Sequence, residues 1–411
     1  MRARVVHPFL AGALLLIAAA PAAAREPADE FLRAIAGSPT LAAAARRVDA
    51  ARARLGAAGA LPDPEIEGMG SRMNGPMGER STMYEVNLRQ PLPRRGERAA
   101  ERARAAAGAR MAEAEFASLA GEIAAETALA LAEADAADAR VRLLDAQANR
   151  LEAVLHAIEV RISTGGDTRL RDRLTLQSQT ASLQLMLASE RRAQADALNE
   201  ARGRLGLGAG DPLPAFAAPA PADVDPARAA MTRVADARAA EADATLQTAR
   251  ATGRPMTAVG LRFERERTGM GDEDTVGLAF SSELPWRSRR TARAETRAAE
   301  AERAAAHAEA TAAGHRIATA VNRAERAERL AETSRRLSAD TLGRLRAEHD
   351  ALLRGASAGS PGESTVLQVA DLLEKTTEAE LQVVEADFAA RAARAELWRH
   401  VPAEHLLADP S

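Results

Sequence analysis

Tyr84-Glu85-Val86-Asn87-Leu88-Arg89-Gln90-Pro91-Leu92-Pro93-Arg94-Arg95-Gly96 is followed, 192 residues later, by a weaker copy of itself, Val276-Gly277-Leu278-Ala279-Phe280-Ser281-Ser282-Glu283-Leu284-Pro285-Trp286-Arg287-Ser288. In the first stretch Tyr84, Val86, Leu88 and Leu92 alternate with Glu85, Asn87, Arg89 and Pro91. In the second, Val276, Leu278, Phe280 and Leu284 alternate with Gly277, Ala279, Ser281 and Glu283. Such alternation is the period of a β-strand with two unlike faces. Each strand is preceded by a weaker one, near Glu65 to Met73 and near Thr257 to Arg265, and the loops between, 74–78 and 268–272, are rich in turn formers. Two β-hairpins are therefore predicted, over 61–93 and 255–285, with strands of about ten residues, the length a tilted membrane-crossing strand needs.

Around the hairpins the chain reads as helix. Stretches 28–59, 97–163, 168–206, 226–251, 288–354 and 364–400 mix Ala, Arg, Glu and Leu with few breakers. A helix over 97–163 would be about 100 Å long at 1.5 Å per residue, and helices of that length need partners. Leu144, Leu151, Leu155, Ile158 and Ile162 have coiled-coil spacing, as do Val366, Ala370, Leu373, Thr377, Val384 and Phe388. Elsewhere the seam is Ala, which lets axes approach closely. The organisation predicted is a signal peptide (1–24), a first repeat (25–210, with a helical hairpin over 97–206), a Pro/Ala-rich linker (211–226), a second repeat (227–400, with a helical hairpin over 288–400) and a C-terminal tail (401–411).

Composition points the same way. Of 411 residues 46% are hydrophobic, yet there are seven Phe, two Trp, one Tyr and no Cys; about a quarter of the chain is Ala, which cannot build a thick enzyme core. With 55 basic and 58 acidic residues the net charge is −3, and no basic patch suggests nucleic acid. Arg2 and Arg4, the apolar run Phe9 to Ala20 and the small-residue end Ala22-Ala23-Ala24 read as a secretory signal peptide. Beyond it no apolar run approaches a membrane helix, so any membrane span must be a β-barrel.

Four strands cannot close a barrel in lipid, so several copies must contribute four each. A dimer would give eight, filled by their own side chains; a trimer would give twelve and leave a lumen. Glu85, Asn87, Arg89, Arg262, Glu264 and Glu283 would then face water and the alternate residues lipid, with Tyr84 and Trp286 as candidate membrane-interface anchors. Alternation alone fits a soluble sheet packed on the helices equally well.

The order of signal peptide, helix, hairpin, helical hairpin and Pro-rich linker, then the unit again, resembles the TolC family of outer-membrane efflux proteins over essentially the whole mature chain. Pro62-Asp63-Pro64-Glu65, opening the first strand, and Gln90-Pro91-Leu92-Pro93-Arg94-Arg95-Gly96-Glu97-Arg98, leaving the second, are similar to the pattern of family members that work in heavy-metal efflux. The resemblance implies a mainly α fold with a small β part: a homotrimer with a twelve-stranded transmembrane β-barrel and a periplasmic α-barrel closed at its inner end by the hairpin tips. It implies a periplasmic adaptor and an inner-membrane RND-type pump as partners, outer-membrane lipid around the barrel, no nucleic acid and no cofactor.

The same resemblance directs attention to the tips. Arg161, Ser163, Thr164, Gly165, Gly166 and Leu170 on the first, and Gly362, Ser364 and Thr365 on the second, are candidate adaptor contacts. Glu363, then Asp371 and Asp167, are candidate periplasmic gate residues, since one acid becomes three facing charges in a trimer; Asp167 and Glu363 equally suit a helix start. The second tip, with Gly355, Gly359, Pro361 and Gly362, departs from the compact family turn. The seven His are scattered and accompany no HExxH, nucleophile elbow or phosphate loop, so no enzyme is expected. Met69, Met73, Met77 and Met83 lie within the first hairpin and Met270 in the loop of the second, and thioethers suit soft ions such as Cu(I).

The expected function is a passive exit duct for heavy-metal cations or small toxic compounds. Type I protein secretion uses the same duct. A soluble periplasmic adaptor or coiled-coil scaffold shares the helical hairpin but would need many more strands.

Overall fold

The computed structural model describes residues 27–74, 80–163, 170–268, 271–283, 288–358 and 364–402. Helices α1 (Pro27–Ala36) and α2 (Pro39–Ala57) lead to strands β1 (Glu65–Asn74) and β2 (Arg80–Leu92), then to the long helix α3 (Glu97–Ser163) and its return α4 (Leu170–Leu205). After the linker come α5 (Ala230–Thr252), β3 (Thr257–Thr268), β4 (Gly271–Ser282), the long helix α6 (Ser288–Ala358), its return α7 (Ser364–Ala395) and a 3-10 turn over Glu396–His400. Corresponding elements of the two halves, α2 and α5, β1 and β3, β2 and β4, α3 and α6, α4 and α7, begin 191 to 194 residues apart.

The predicted single helix over 28–59 is in fact two. Pro39 lacks the N–H that would continue α1 and stands at the first position of α2, behind Ser38, whose extended backbone breaks the axis.

The four strands form one antiparallel sheet in the order β1-β2-β3-β4. The first unit's hairpin joins the second's through β2 and β3, with Val86 opposite Phe263 and Leu88 opposite Leu261. The helices repeat that order: α2 packs on α3, α3 on α5 and α5 on α6. Further from the sheet α4 packs on α3, α3 on α7 and α7 on α6. Each long helix is thus supported by two shorter ones in tandem, first α2 then α4, or α5 then α7. The chain is four elements wide, with β1, α2 and α4 on one edge and β4 and α6 on the other.

The turn from strand to helix is made at Gly96, whose φ of 85° suits glycine. Glu97 closes the first turn of α3 by accepting from the Arg94 N–H at 2.6 Å. Between the tandem supports lies the main core, where Phe31, Ile35 and Leu41 meet Ala120, Ala124 and Ala128 of α3, Leu205 of α4, and Trp398. Trp398 stacks on Phe31 with ring centroids 5.5 Å apart and donates its indole N–H to the Ala217 carbonyl at 3.0 Å. Arg394 donates to the Ala218 carbonyl at 3.0 Å, so the linker is clamped to the C-terminal end of the chain.

Nearer the tips a second core joins Leu144, Leu151 and Ile158 of α3 to Leu176, Leu183 and Leu187 of α4 and Ala370 of α7. The predicted seam holds except at its end, where Ile162 is exposed because α4 begins only at Leu170. On α7, Ala370 and Thr377 are buried as predicted. No helix among the described residues is long and apolar enough to cross a membrane.

Candidate pore wall and hairpin tips

Register divides the sheet into two chemically distinct faces. Ile66, Leu88, Leu261 and Leu278 stand opposite one another across all four strands. The row beside them holds Val86, Phe263 and Val276, and the row nearer the helices Val259 and Phe280. These side chains are exposed, Ile66 by 76% and Leu278 by 90%, and an apolar patch of this extent left open marks an interaction or membrane surface. Tyr84 is on this face, 52% exposed, its ring 3.8 Å from where a Cβ on Gly70 would be. It is level with the Arg265–Asp274 ion pair (2.6 Å), at the border where apolar side chains give way to charged ones.

The opposite face carries Glu65, Glu67, Glu85, Glu264, Glu266 and Glu273 against Arg89 and Arg262. Arg89 pairs with Glu65. Arg262 lies 3.0 Å from both Glu85 and Glu264, and Asn87 donates to Glu85 at 2.9 Å. Glu85 is buried and gathers both of those donors, as a buried carboxylate must. Five of the six residues predicted to face a lumen are on this wall. The sixth, Glu283, lies one residue beyond β4 and faces Arg94 at 3.4 Å, held there because its N–H donates to the Met256 carbonyl where the sheet meets the helices. With six acids against two bases this face carries excess negative charge.

At the first tip Ser163 ends α3 and donates its hydroxyl to the Val160 carbonyl at 2.7 Å, satisfying one of the open carbonyls of the last turn. Arg161 lies in that last turn and Leu170 opens α4; Ser364 and Thr365 open α7. Thr164, Gly165, Gly166, Asp167, Gly362, Glu363 and Trp286 fall outside the described residues. Asp371 is exposed and pairs with Lys375 at 2.7 Å one turn on, holding the ammonium above the usual lysine range. Its charge is therefore partly neutralised within its own helix.

Sequence reasoning missed the ties between the two helical hairpins. Arg140 of α3 reaches Glu190 of α4 at 3.3 Å and Glu385 of α7 at 2.7 Å, with its guanidinium 5.9 Å from the Phe388 ring centroid. Gln179 of α4 donates to Glu374 of α7 at 3.4 Å. Partners up to 245 residues apart leave no local signal. Among the described residues no cluster of His, Asp and Glu could hold a metal ion.

Residues 32–206, the first of the two units, match the family described as outer membrane efflux protein. No curated protein matches the chain. Solved structures share its fold over nearly its whole length. A membrane protein from Pseudomonas aeruginosa superposes with a TM-score of 0.70 at 18% identity, covering 92% of this chain and 93% of that one. VceC, an outer membrane protein of Vibrio cholerae, gives 0.69 at 16% identity, over 90% and 96%. CusC, whose structures concern folding and transmembrane channel formation, gives 0.70 at 14% identity, over 91% and 92%. The first unit, residues 32–206, thus carries the pattern of the outer membrane efflux protein family, and the fold of these solved structures runs through both units.

Proposed function

We propose that the chain is the exit duct of a tripartite efflux system, acting as a homotrimer with a periplasmic adaptor and an inner-membrane RND-type pump. The observation that carries this is the four-stranded sheet with two unlike faces and two unpaired edges. β1 and β4 each present a row of unpaired backbone groups, which lipid does not tolerate. Three copies joined β4 to β1 close twelve strands around a lumen, and the α6 edge of one copy then meets the α2 and α4 edge of the next. Leu330 and Leu337 on α6 and Leu174, Leu185 and Met186 on α4, all exposed in the single chain, are among the apolar residues available for that seam.

The duct holds no energy source, so transport is passive and driven by the pump. Heavy-metal cations or small toxic compounds are the cargo we infer, supported by the acidic wall and by the resemblance to heavy-metal efflux members. Type I protein secretion is the alternative use of the same duct. Reconstitution into a planar bilayer tests the reading: a detergent-stable trimer with cation-selective conductance is expected, and a monomer or dimer without conductance would overturn it. At the tips, Glu363→Ala should change conductance and cation selectivity; no change in either would remove Glu363 from the gate.

A further inference from the structure

We propose that Met69, Met73 and Met83 form a thioether site for a soft monovalent cation on the pore wall near the outer mouth. This rests on the reading of the acidic face as the lumen. On that face Met83 of β2 stands opposite Ser71 of β1. Met69 and Met73, two residues either side of Ser71, are therefore its diagonal neighbours across one ladder. Diagonal partners lie about 7–8 Å apart, within reach of long side chains, so a single ion can be held between the sulfurs of Met69 and Met83, or of Met83 and Met73.

The placement is unusual for methionine. A thioether normally fills gaps in a core, yet Met69 and Met73 are 60% and 64% exposed, on a face whose other residues in these strands include Glu67, Ser71, Ser81 and Glu85. The lipid face of the same strands offers apolar positions, and these residues are not on it. Glu266 lies directly across from Met83, and Glu273 across from Glu266. Among the described residues those two carboxylates have no basic partner, which is destabilising for acids placed side by side and attractive to a passing cation. Carboxylate alone would prefer hard divalent ions; sulfur shifts the preference to Cu(I) or Ag(I).

Met83 belongs to both sulfur pairs, so an ion passes from Met69–Met83 to Met83–Met73, toward the hairpin ends that point away from the helices. Two sulfurs bind without trapping, as conduction through several weak sites requires. The ion enters and leaves monovalent, and no electron is transferred.

The test is titration of the detergent-purified full-length trimer with silver nitrate by calorimetry. Wild type should bind about one Ag(I) per chain, Met83→Leu should weaken this at least tenfold, and Met69→Leu and Met73→Leu should each weaken it less, since one pair survives. Leucine keeps the size and apolarity of methionine, and Met111→Leu on α3 should leave the titration unchanged. Silver binding by Met83→Leu equal to wild type, absence of binding by wild type, or equal binding of Zn(II) would overturn the site. Potassium conductance of the wild-type trimer is read separately: a conducting channel that binds no silver removes the site and keeps the duct, and a trimer that binds silver without conducting keeps the site and removes the duct.

Discussion

The carbonyl oxygen of Trp398 lies so close to Gly121 that a Cβ built there would stand 2.7 Å from it. The 3-10 turn at the end of the chain thus rests directly on the backbone of α3, where the N-terminal helix, the linker and both long helical hairpins meet. Gly121→Ala must push the turn away, disturbing the Phe31–Trp398 stack, and should cost about 1–3 kcal/mol as an overpacked core does. Gly108→Ala, on the same helix with open space around it, is the control; it should be neutral or add up to about 1 kcal/mol through helix propensity. Thermal unfolding of the two variants in detergent checks the contrast, and an equal effect would refute the contact as a determinant of stability.

Leu278 is in the row that crosses all four strands and is the most exposed apolar side chain of the sheet. If that face meets lipid, Leu278→Arg should destabilise the inserted barrel by about 2–4 kcal/mol, the cost of arginine near the bilayer midplane. Ala279→Ser, one residue on and facing the wall, should be tolerated. The amount of heat-resistant trimer recovered from outer-membrane fractions measures this, and equal recovery of both variants would contradict the assignment of faces.

Asp371 can act on a passing ion only to the extent that Lys375 leaves its charge uncompensated. Lys375→Gln should therefore raise the preference for cations over anions, and Asp371→Asn should lower it, in reversal potentials measured across a salt gradient. Equal ratios in all three proteins would remove Asp371 from the gate.

Much of this fold could be read from local pattern because its units are local. Alternation at Val86 and Leu88 located a strand and both of its faces, and the run from Glu97 to Ser163, with only Gly108 and Gly121 as breakers, located a long helix. Repetition at 192 residues then supplied the second half. What could not be read depends on partners far apart in the chain. The hold of Arg262 on Glu85 joins residues 177 apart, and Trp398 meets Ala217 across 181; neither has a periodicity to announce it. Glu283 stands just past β4, and its pairing with Arg94, 189 residues away at the strand-to-helix turn, has no local signal either. The methionines are an intermediate case: their concentration was visible, but their convergence around Ser71 needed the register of β1 on β2.

His400 closes the 3-10 turn, buried, with Nδ1 lacking a hydrogen-bond partner among the described residues. Burial, with the neighbouring Arg399 charge, pushes its pKa below the usual histidine value. In the unfolded chain the ring takes up its proton near pH 6.5, so between that pH and the lower folded value the unfolded state binds more protons than the folded one. Stability is then fully present above about pH 6.5 and declines as pH falls below it, by up to about 1.4 kcal/mol per pH unit, until the folded value is reached. Comparison of thermal unfolding at pH 7.5 and 5.5 should show a larger drop for wild type than for His400→Phe, whose apolar ring needs no proton. Both pH values lie above the range in which most carboxylates titrate, so the difference between the two proteins isolates the imidazole, and equal drops would show that His400 is not a source of acid sensitivity where the linker and the C-terminal end of the chain meet.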